Sequence, residues 1–206
     1  MKKATRWRLV ALLLVLCVVS TLAIRKHFFP ASIKDGIPVA GGREMSVRTD
    51  VVPFLQTDPR WSDENLGPSD GKIGSYGCTL CATAMALTAR DHAVDPNELN
   101  ARLKEGSGYT DSGLIIWKAI SKATDNRFTV VVDDRPSHEK LDRQLSQGNP
   151  VIAKVLWEGR IFHWVLITGK EGLDYLIHDP LGDGTPHDTM RDYPTGIYTI
   201  RYLKKR

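Results

Sequence analysis

Cysteine is scarce in this sequence. Its 206 residues hold three, Cys17, Cys78 and Cys81. Cys17 lies inside an N-terminal apolar run, so two thiols remain for everything after it, and a disulfide-stapled scaffold is excluded by count. Excess positive charge is also lacking where it would matter. The formal charge is +4, but Lys2, Lys3, Arg6, Arg8, Arg25 and Lys26 all flank the apolar run. Without them 22 basic residues face 24 acidic ones, which excludes a general phosphate-binding surface and gives no ground for a nucleic-acid partner. There is no internal repeat and no low-complexity segment. A zinc site from Cys78, Cys81 and two histidines lacks compact spacing, and Asp183, Gly184 and Asp188 lack the period of a calcium loop. No cofactor or metal is implied. The length suits one domain with a sizeable core.

The apolar run extends from Leu9 to Ile24, interrupted only by Ser20 and Thr21. It is too apolar for an amphipathic helix and reads as an export element. Arg25, Lys26 and His27 would sit directly after a cleavage point, so residues 1–26 are expected to form an uncleaved signal-anchor, with cleaved secretion as the alternative. Four basic residues precede the run and two follow it. The positive-inside bias then puts the N-terminus in the cytoplasm and the remainder on the extracytoplasmic side of the cytoplasmic membrane. Leu16 stands where a lipoprotein signal needs a small residue, so Cys17 reads as an apolar thiol within the anchor.

Residues 27–50 carry Pro30, Gly36, Pro38, Gly41 and Gly42 without a sustained period and read as a linker, leaving 51–206 as the domain. Another Gly-rich stretch, 65–77, leads to Cys78, after which Leu80, Ala84 and Leu87 recur at helical spacing beside Cys81, Met85 and Thr88. Cys78 is therefore expected at a helix N-terminus. Asp95, Pro96 and Glu98 have the pattern of N-cap, first-turn proline and capping-box acid, with Gly106 as the stop. Another helix is expected after Asp111 or Ser112, with Ile115, Ile116, Ala119 and Ile120 inward. One more is expected from 137 to about 147, with Leu141 and Leu145 inward and Gly148 closing it. Beyond Pro150 the period shortens, and 151–157, 161–168, 173–178 and 196–203 read as strands. A helical first half followed by strands indicates an α+β domain with an antiparallel sheet.

A thiol at a helix N-terminus is favoured as thiolate by unpaired backbone N–H groups and the helix dipole. Gly77 before it would let a substrate backbone approach closely. Such a nucleophile needs a base, a group to orient the base and a donor for the oxyanion. His163 opens one apolar strand and Asp179 follows another, and a three-residue loop of Lys170, Glu171 and Gly172, with Gly172 left-handed, would join them. In that register His163 falls opposite Asp179, and Val165, Ile167, Tyr175 and Ile177 share its face. Trp164, Leu166 and His178 then point to the other. A carboxylate so placed would hold the imidazole and favour its charged form.

The segments Val52-Pro-Phe-Leu-Gln56, Gly77-Cys78 with Ala84-Met85, Gly148-Asn-Pro-Val-Ile152, His163-Trp-Val-Leu-Ile-Thr-Gly169 and Asp179-Pro180 resemble the bacteriocin-processing, or double-glycine leader, peptidase family and its stand-alone relatives. The resemblance spans nearly all of 51–206, in the expected order. It implies a papain-like fold in which Cys78 attacks a peptide carbonyl, His163 is the base and Asp179 orients it. Gln56, which no local pattern selects, takes the family's position of oxyanion donor. Thr79, Leu80 and Cys81 depart from the small pair that often follows the nucleophile. Leader-cleaving members are fused to exporters facing the cytoplasm, whereas the topology expected here is the reverse. The reading is a membrane-anchored, exported cysteine peptidase with a peptide or protein substrate.

Two alternatives stay open. Cys78-Thr-Leu-Cys81 is also a CxxC motif, as in a thioredoxin-like thiol oxidoreductase. Such sites follow a strand rather than a Gly-rich loop, and the alternative gives His163, Asp179 and Gln56 no task. The second is a papain-like peptide-binding module without turnover. Singly, His163 reads as a strand-end histidine, Asp179 as a turn initiator before Pro180 and Gln56 as a loop-backbone partner. His92, His138, His178 and His187 read as surface or turn residues, and Trp61, Trp117, Trp157 and Trp164 as core or cleft wall.

Overall fold

The computed structural model describes residues 36–185 and 188–206. The expected signal-anchor of 1–26 lies outside the described residues, as does the first part of the expected linker. Among the described residues no helix is long and apolar enough to cross a membrane.

The first described strand, β1 (Ala40–Arg48), falls in the expected linker. Gly41 and Gly42 disguise it, because they take φ values of 146° and 78° at an irregularity in its pairing. A helical region follows: one-turn α1 (Ile73–Tyr76), α2 (Cys78–Thr88), α3 (Pro96–Glu105) and one-turn α4 (Ile120–Ala123). Then come β2 (Phe128–Asp133), α5 (His138–Ser146), β3 (Val151–Trp157), β4 (Ile161–His178), short β5 (Asp188–Thr189) and β6 (Thr199–Lys205). The antiparallel sheet runs β1-β4-β3-β6-β2, with β5 also on β4. Mixed α+β architecture with an antiparallel sheet is thus as expected.

Local chemistry explains the helix ends. Asp95 caps α3 by accepting from the Glu98 N–H at 2.8 Å, with Pro96 in the first turn and Gly106 at the end. Ser137 caps α5 by accepting from the Lys140 N–H at 3.3 Å, and Leu141 and Leu145 point inward. The helix expected after Asp111 is largely absent. Gly113 has φ 81°, Thr110 closes a turn onto the Gly113 and Leu114 N–H groups, and the Ile116 N–H bonds the Gly108 carbonyl. The chain becomes helical only at a 3-10 turn, Trp117–Ala119, that runs into α4. Strand β2 lies in the half expected to be helical, because its β-branched run is completed by pairing with distant β6.

α2 is buried around its whole circumference from Leu80 to Leu87, rather than on one face. With Ala82, Ala84 and Ala86 it offers little bulk, so it can sit close to the sheet. One core cluster gathers α2, α3, Trp61, Ile152 and Leu166. The second, across the sheet, holds Leu141, Leu145, Val165, Ile167, Tyr175 and Ile177.

β4 is extended throughout but doubles back. His163 and Asp179 are 16 residues apart yet touch at 2.6 Å, where a straight strand would separate them by about 50 Å. Gly172 at the reversal has φ 60°, the left-handed conformation expected of it. Lys170, expected in the three-residue loop, is fully buried. β1 covers the reversal, pairing Val47 with Lys170 and Met45 with Gly172. The Lys170 Nζ donates to the Gly41 carbonyl (2.7 Å), the Arg43 carbonyl (2.6 Å) and Asp142 Oδ1 (2.6 Å). The other oxygen of Asp142 accepts from the Arg43 N–H at 2.7 Å, and Tyr175 joins the cluster through its hydroxyl. This network fastens β1 to α5 and β4.

Removing one partner of a buried pair strands the other charge. Asp142→Ala should therefore lower stability by about 3–5 kcal/mol, read as a shift of the urea midpoint. The double variant Asp142→Ala/Lys170→Met should recover most of it.

Candidate active site

Cys78 is the first residue of α2, where a helix leaves its N–H groups without intrahelical acceptors. One turn earlier, the Gly74 carbonyl accepts from Gln56 Nε2 at 2.8 Å, so the position that would serve the Cys78 N–H in a continuous helix is occupied. Gly77 is required for packing: a Cβ there would lie 2.5 Å from the Ile73 carbonyl oxygen and 2.6 Å from Ile73 Cγ2. This packing requirement stands beside the role expected for it, room for a substrate backbone.

His163 enters from β4, opposite Val155 of β3, and is buried. Its Nε2 meets Asp179 Oδ1 at 2.6 Å, leaving Nδ1 for the sulfur. The same Asp179 oxygen accepts from the Leu181 N–H at 2.8 Å, and Oδ2 accepts from the Tyr193 hydroxyl. The Tyr193 ring leans against the imidazole at 5.9 Å between centroids. Gln56 belongs to the same construction, because its N–H bonds the Pro180 carbonyl at 2.9 Å, one residue beyond Asp179. Val165, Ile167, Tyr175 and Ile177 share one core cluster, while Leu166 and Trp164 lie with the other. Side-chain alternation on β4 is therefore as expected from sequence.

The environment separates charge across this group. Burial works against a Cys78 thiolate, but hydrogen bonding and charge attraction from His163 outweigh it, helped by the Trp164 N–H and the Thr79 hydroxyl. The thiol is held below its ordinary range. Burial likewise opposes an imidazolium at His163, but Asp179 and Cys78 push its pKa up to about 9. Asp179 resists burial through His163, Tyr193 and the Leu181 N–H, and stays below the usual carboxylate range. The two shifts together favour a thiolate beside an imidazolium.

Cys78, His163 and Gln56 line one cleft of about 650 Å³. Tyr76, Leu114, Trp157, Ile161 and Phe162 give it apolar lips, and all five are exposed. Cys81 is not part of the cleft. It is fully buried on the core side of α2, and burial pushes its thiol far up. Cys78 and Cys81 are both free thiols, but only Cys78 is placed to react.

Other sites fall apart. Among the described residues no group of His, Cys, Asp and Glu could hold a metal ion. His92 and His178, expected at surface or turns, are buried: His92 packs edge-on against Phe128, and His178 ends β4 in the sheet. His138 is half-buried against Tyr175, and His187 lies outside the described residues. Trp61 is core, Trp157 and Trp164 are cleft wall, and Trp117 packs on Trp164. Sequence reasoning missed Tyr193. Its only local signal is the Tyr193-Pro194 step, which says nothing of a carboxylate 14 residues earlier.

Comparisons with known proteins agree with this architecture. The sequence pattern of the peptidase C39-like family matches residues 48–204. No curated protein matches the chain. Among solved structures, a putative C39-like peptidase from Bacillus anthracis superposes with a TM-score of 0.54 at 16% identity, over 79% of this chain and 99% of its own. The peptidase domain of Streptococcus ComA, a bifunctional ABC transporter involved in quorum sensing, gives 0.50 at 15% identity, over 77% and 99%.

The opposed shifts predict a pH profile. Alkylation of Cys78 by iodoacetamide, followed by peptide mass mapping, should rise below the range of a free thiol, about 8.5. It should change again near pH 9, as His163 loses its proton. In His163→Ala burial of the sulfur is no longer outweighed, so the rise should move to higher pH. Identical profiles in the two proteins would contradict the ion pair.

Proposed function

The chain belongs to the peptidase C39-like family, and from that premise we propose that it is a papain-like cysteine peptidase that cleaves peptide bonds through an acyl-enzyme on Cys78. The observation that carries this reading is the relay Cys78–His163–Asp179 opening on one cleft, with thiol and imidazole shifted in opposite directions. Cys78 attacks the scissile carbonyl as thiolate. The carbonyl oxygen gains the negative charge and is met by the Cys78 N–H and by Gln56 Nε2, whose second hydrogen is not used by Gly74. His163 then gives its proton to the leaving amine, and the thioester forms as the C–N bond breaks. Water, deprotonated by His163, hydrolyses the thioester and restores the thiolate. Asp179 keeps the ring oriented through both steps, and Tyr193 and the Leu181 N–H keep Asp179 in place.

The apolar lips favour a peptide with large apolar side chains near the scissile bond. The two-thiol alternative finds no support in the position of Cys81. Residues 1–26 hold the domain on the extracytoplasmic side of the membrane in this reading. Alkaline phosphatase fused after residue 50 should then be active in bacteria, and an inactive fusion would overturn that topology.

A peptide-electrophile probe separates the enzyme readings. Cys78→Ala should abolish labelling, His163→Ala should slow it by about 100-fold or more, and Cys81→Ala should retain it. Loss of function in Cys81→Ala with retention in His163→Ala would instead favour thiol–disulfide chemistry.

A further inference from the structure

The sheet wall of the cleft carries a cation that the reaction does not use. Lys154 of β3 lies opposite Trp164 of β4 and Thr199 of β6. Strand alternation puts it on the face of Ile152, toward α2. It lines the cleft with Cys78 and His163 and is half-buried. Its Nζ stands 3.6 Å from the Phe162 ring centroid and 5.9 Å from that of Trp164.

A second cation, Arg201, lies 5.5 Å from the ring centroids of both Trp117 and Trp164. The two are treated differently. Arg201 pairs with Asp134 at 3.1 Å and also donates to Thr199 and the Ile200 carbonyl. The adjacent Asp133 is taken by Lys140 at 2.6 Å. Among the described residues no carboxylate lies within ion-pairing distance of Lys154. Burial and then the charge of Arg201 disfavour its ammonium, and Asp134 offsets them only in part. The ring faces of Phe162 and Trp164 give the ammonium a weak resting site. They do not neutralise it, and Lys154 lines the space a peptide would fill.

We propose that Lys154 is a specificity-determining residue that receives a carboxylate of the peptide substrate on this wall of the cleft. The proposal rests on the peptidase reading of the cleft and adds a charge requirement to its apolar lips. A compact ammonium on a flexible stem suits a carboxylate approaching along an extended peptide. Most of the discrimination should come from rejecting the neutral isostere, because a glutamine amide brings no counter-charge to the half-buried cation. The carboxylate belongs to an acidic side chain or to the C-terminus of the peptide, and the chemistry is the same.

The test needs no known substrate. Bromoacetyl tripeptide amides carrying glutamate or glutamine at the first, second or third position alkylate Cys78 with loss of bromide, and their rates are followed by mass spectrometry. At one position the glutamate probe should react with wild type about 3- to 10-fold faster than its glutamine partner. The ratio should fall to about one in Lys154→Met, which keeps the apolar stem, and persist in Lys154→Arg. Free-acid versions of the glutamine probes form a second arm. A Lys154-dependent gain there alone assigns the carboxylate to a chain terminus, and one in the glutamate amides assigns it to a side chain. Ratios near one in wild type for every probe in both arms overturn the proposal. So does an acidic preference unchanged in Lys154→Met. Failure of the peptidase reading appears elsewhere, in an iodoacetamide rate at Cys78 that His163→Ala leaves unchanged.

Discussion

The arrangement depends on a buried carboxylate held still while it faces an imidazole. Asp179 sits where burial alone would drive it toward the neutral acid, and a neutral acid would neither orient His163 nor favour its charged form. Three donors prevent that: the His163 ring, the Leu181 N–H and the Tyr193 hydroxyl. Each comes from a different part of the chain, so the site is complete only when the folded-back β4, the loop after it and a 3-10 turn, Met190–Asp192, just before Tyr193 are all in place. The other half is a matter of depth. α2 is surrounded by core, and its alanines let it approach the sheet until Cys78 stands within reach of His163. Helix position and strand reversal are separate consequences of the sequence, and Cys78 and His163 face one cleft only where they coincide.

What could be read beforehand follows from how local each cause is. Cys78 announces itself because a Gly-rich approach and a run of small apolar residues lie on either side of it in the chain. His163 and Asp179 could be paired because strand alternation and a left-handed glycine act within the one reversing segment. Gln56 had no such signal and entered only through resemblance. Its burial and its bond to Gly74 give it a physical reason to be where it is.

The misreadings share the opposite character. β1 and β2 are strands because of what they pair with, β4 and β6, far away in sequence. Taken alone, Ala40-Gly-Gly-Arg-Glu has the composition of a linker. Lys170 has the composition of a loop tip, and it is buried because β1 brings two carbonyls and α5 brings Asp142. Tyr193 follows the same rule. A residue whose role is to complete a distant carboxylate's hydrogen bonding carries no mark of it in its neighbours.

Three charged groups along the sheet show how buried charge can be sorted into scaffold and chemistry. At the reversal of β4, Lys170 has three acceptors, and Asp142 gives one oxygen to it and the other to the Arg43 N–H; every strong valence is used inside the protein. Such a cluster has nothing left with which to bind, so it acts as a fastening. At the start of β4, His163 uses Nε2 on Asp179 and keeps its other nitrogen for a sulfur at the edge of a cavity. Its valences are deliberately incomplete within the fold's static bonding, and that is where protons can move. Lys154 is the intermediate case: a half-buried charge on the same cavity, resting on aromatic faces and without a counter-ion among the described residues. Satisfaction of the buried group, more than its burial, separates the three. By that criterion Lys154 belongs with His163 and the cleft, because a charge left unanswered beside a cavity is answered by what enters it.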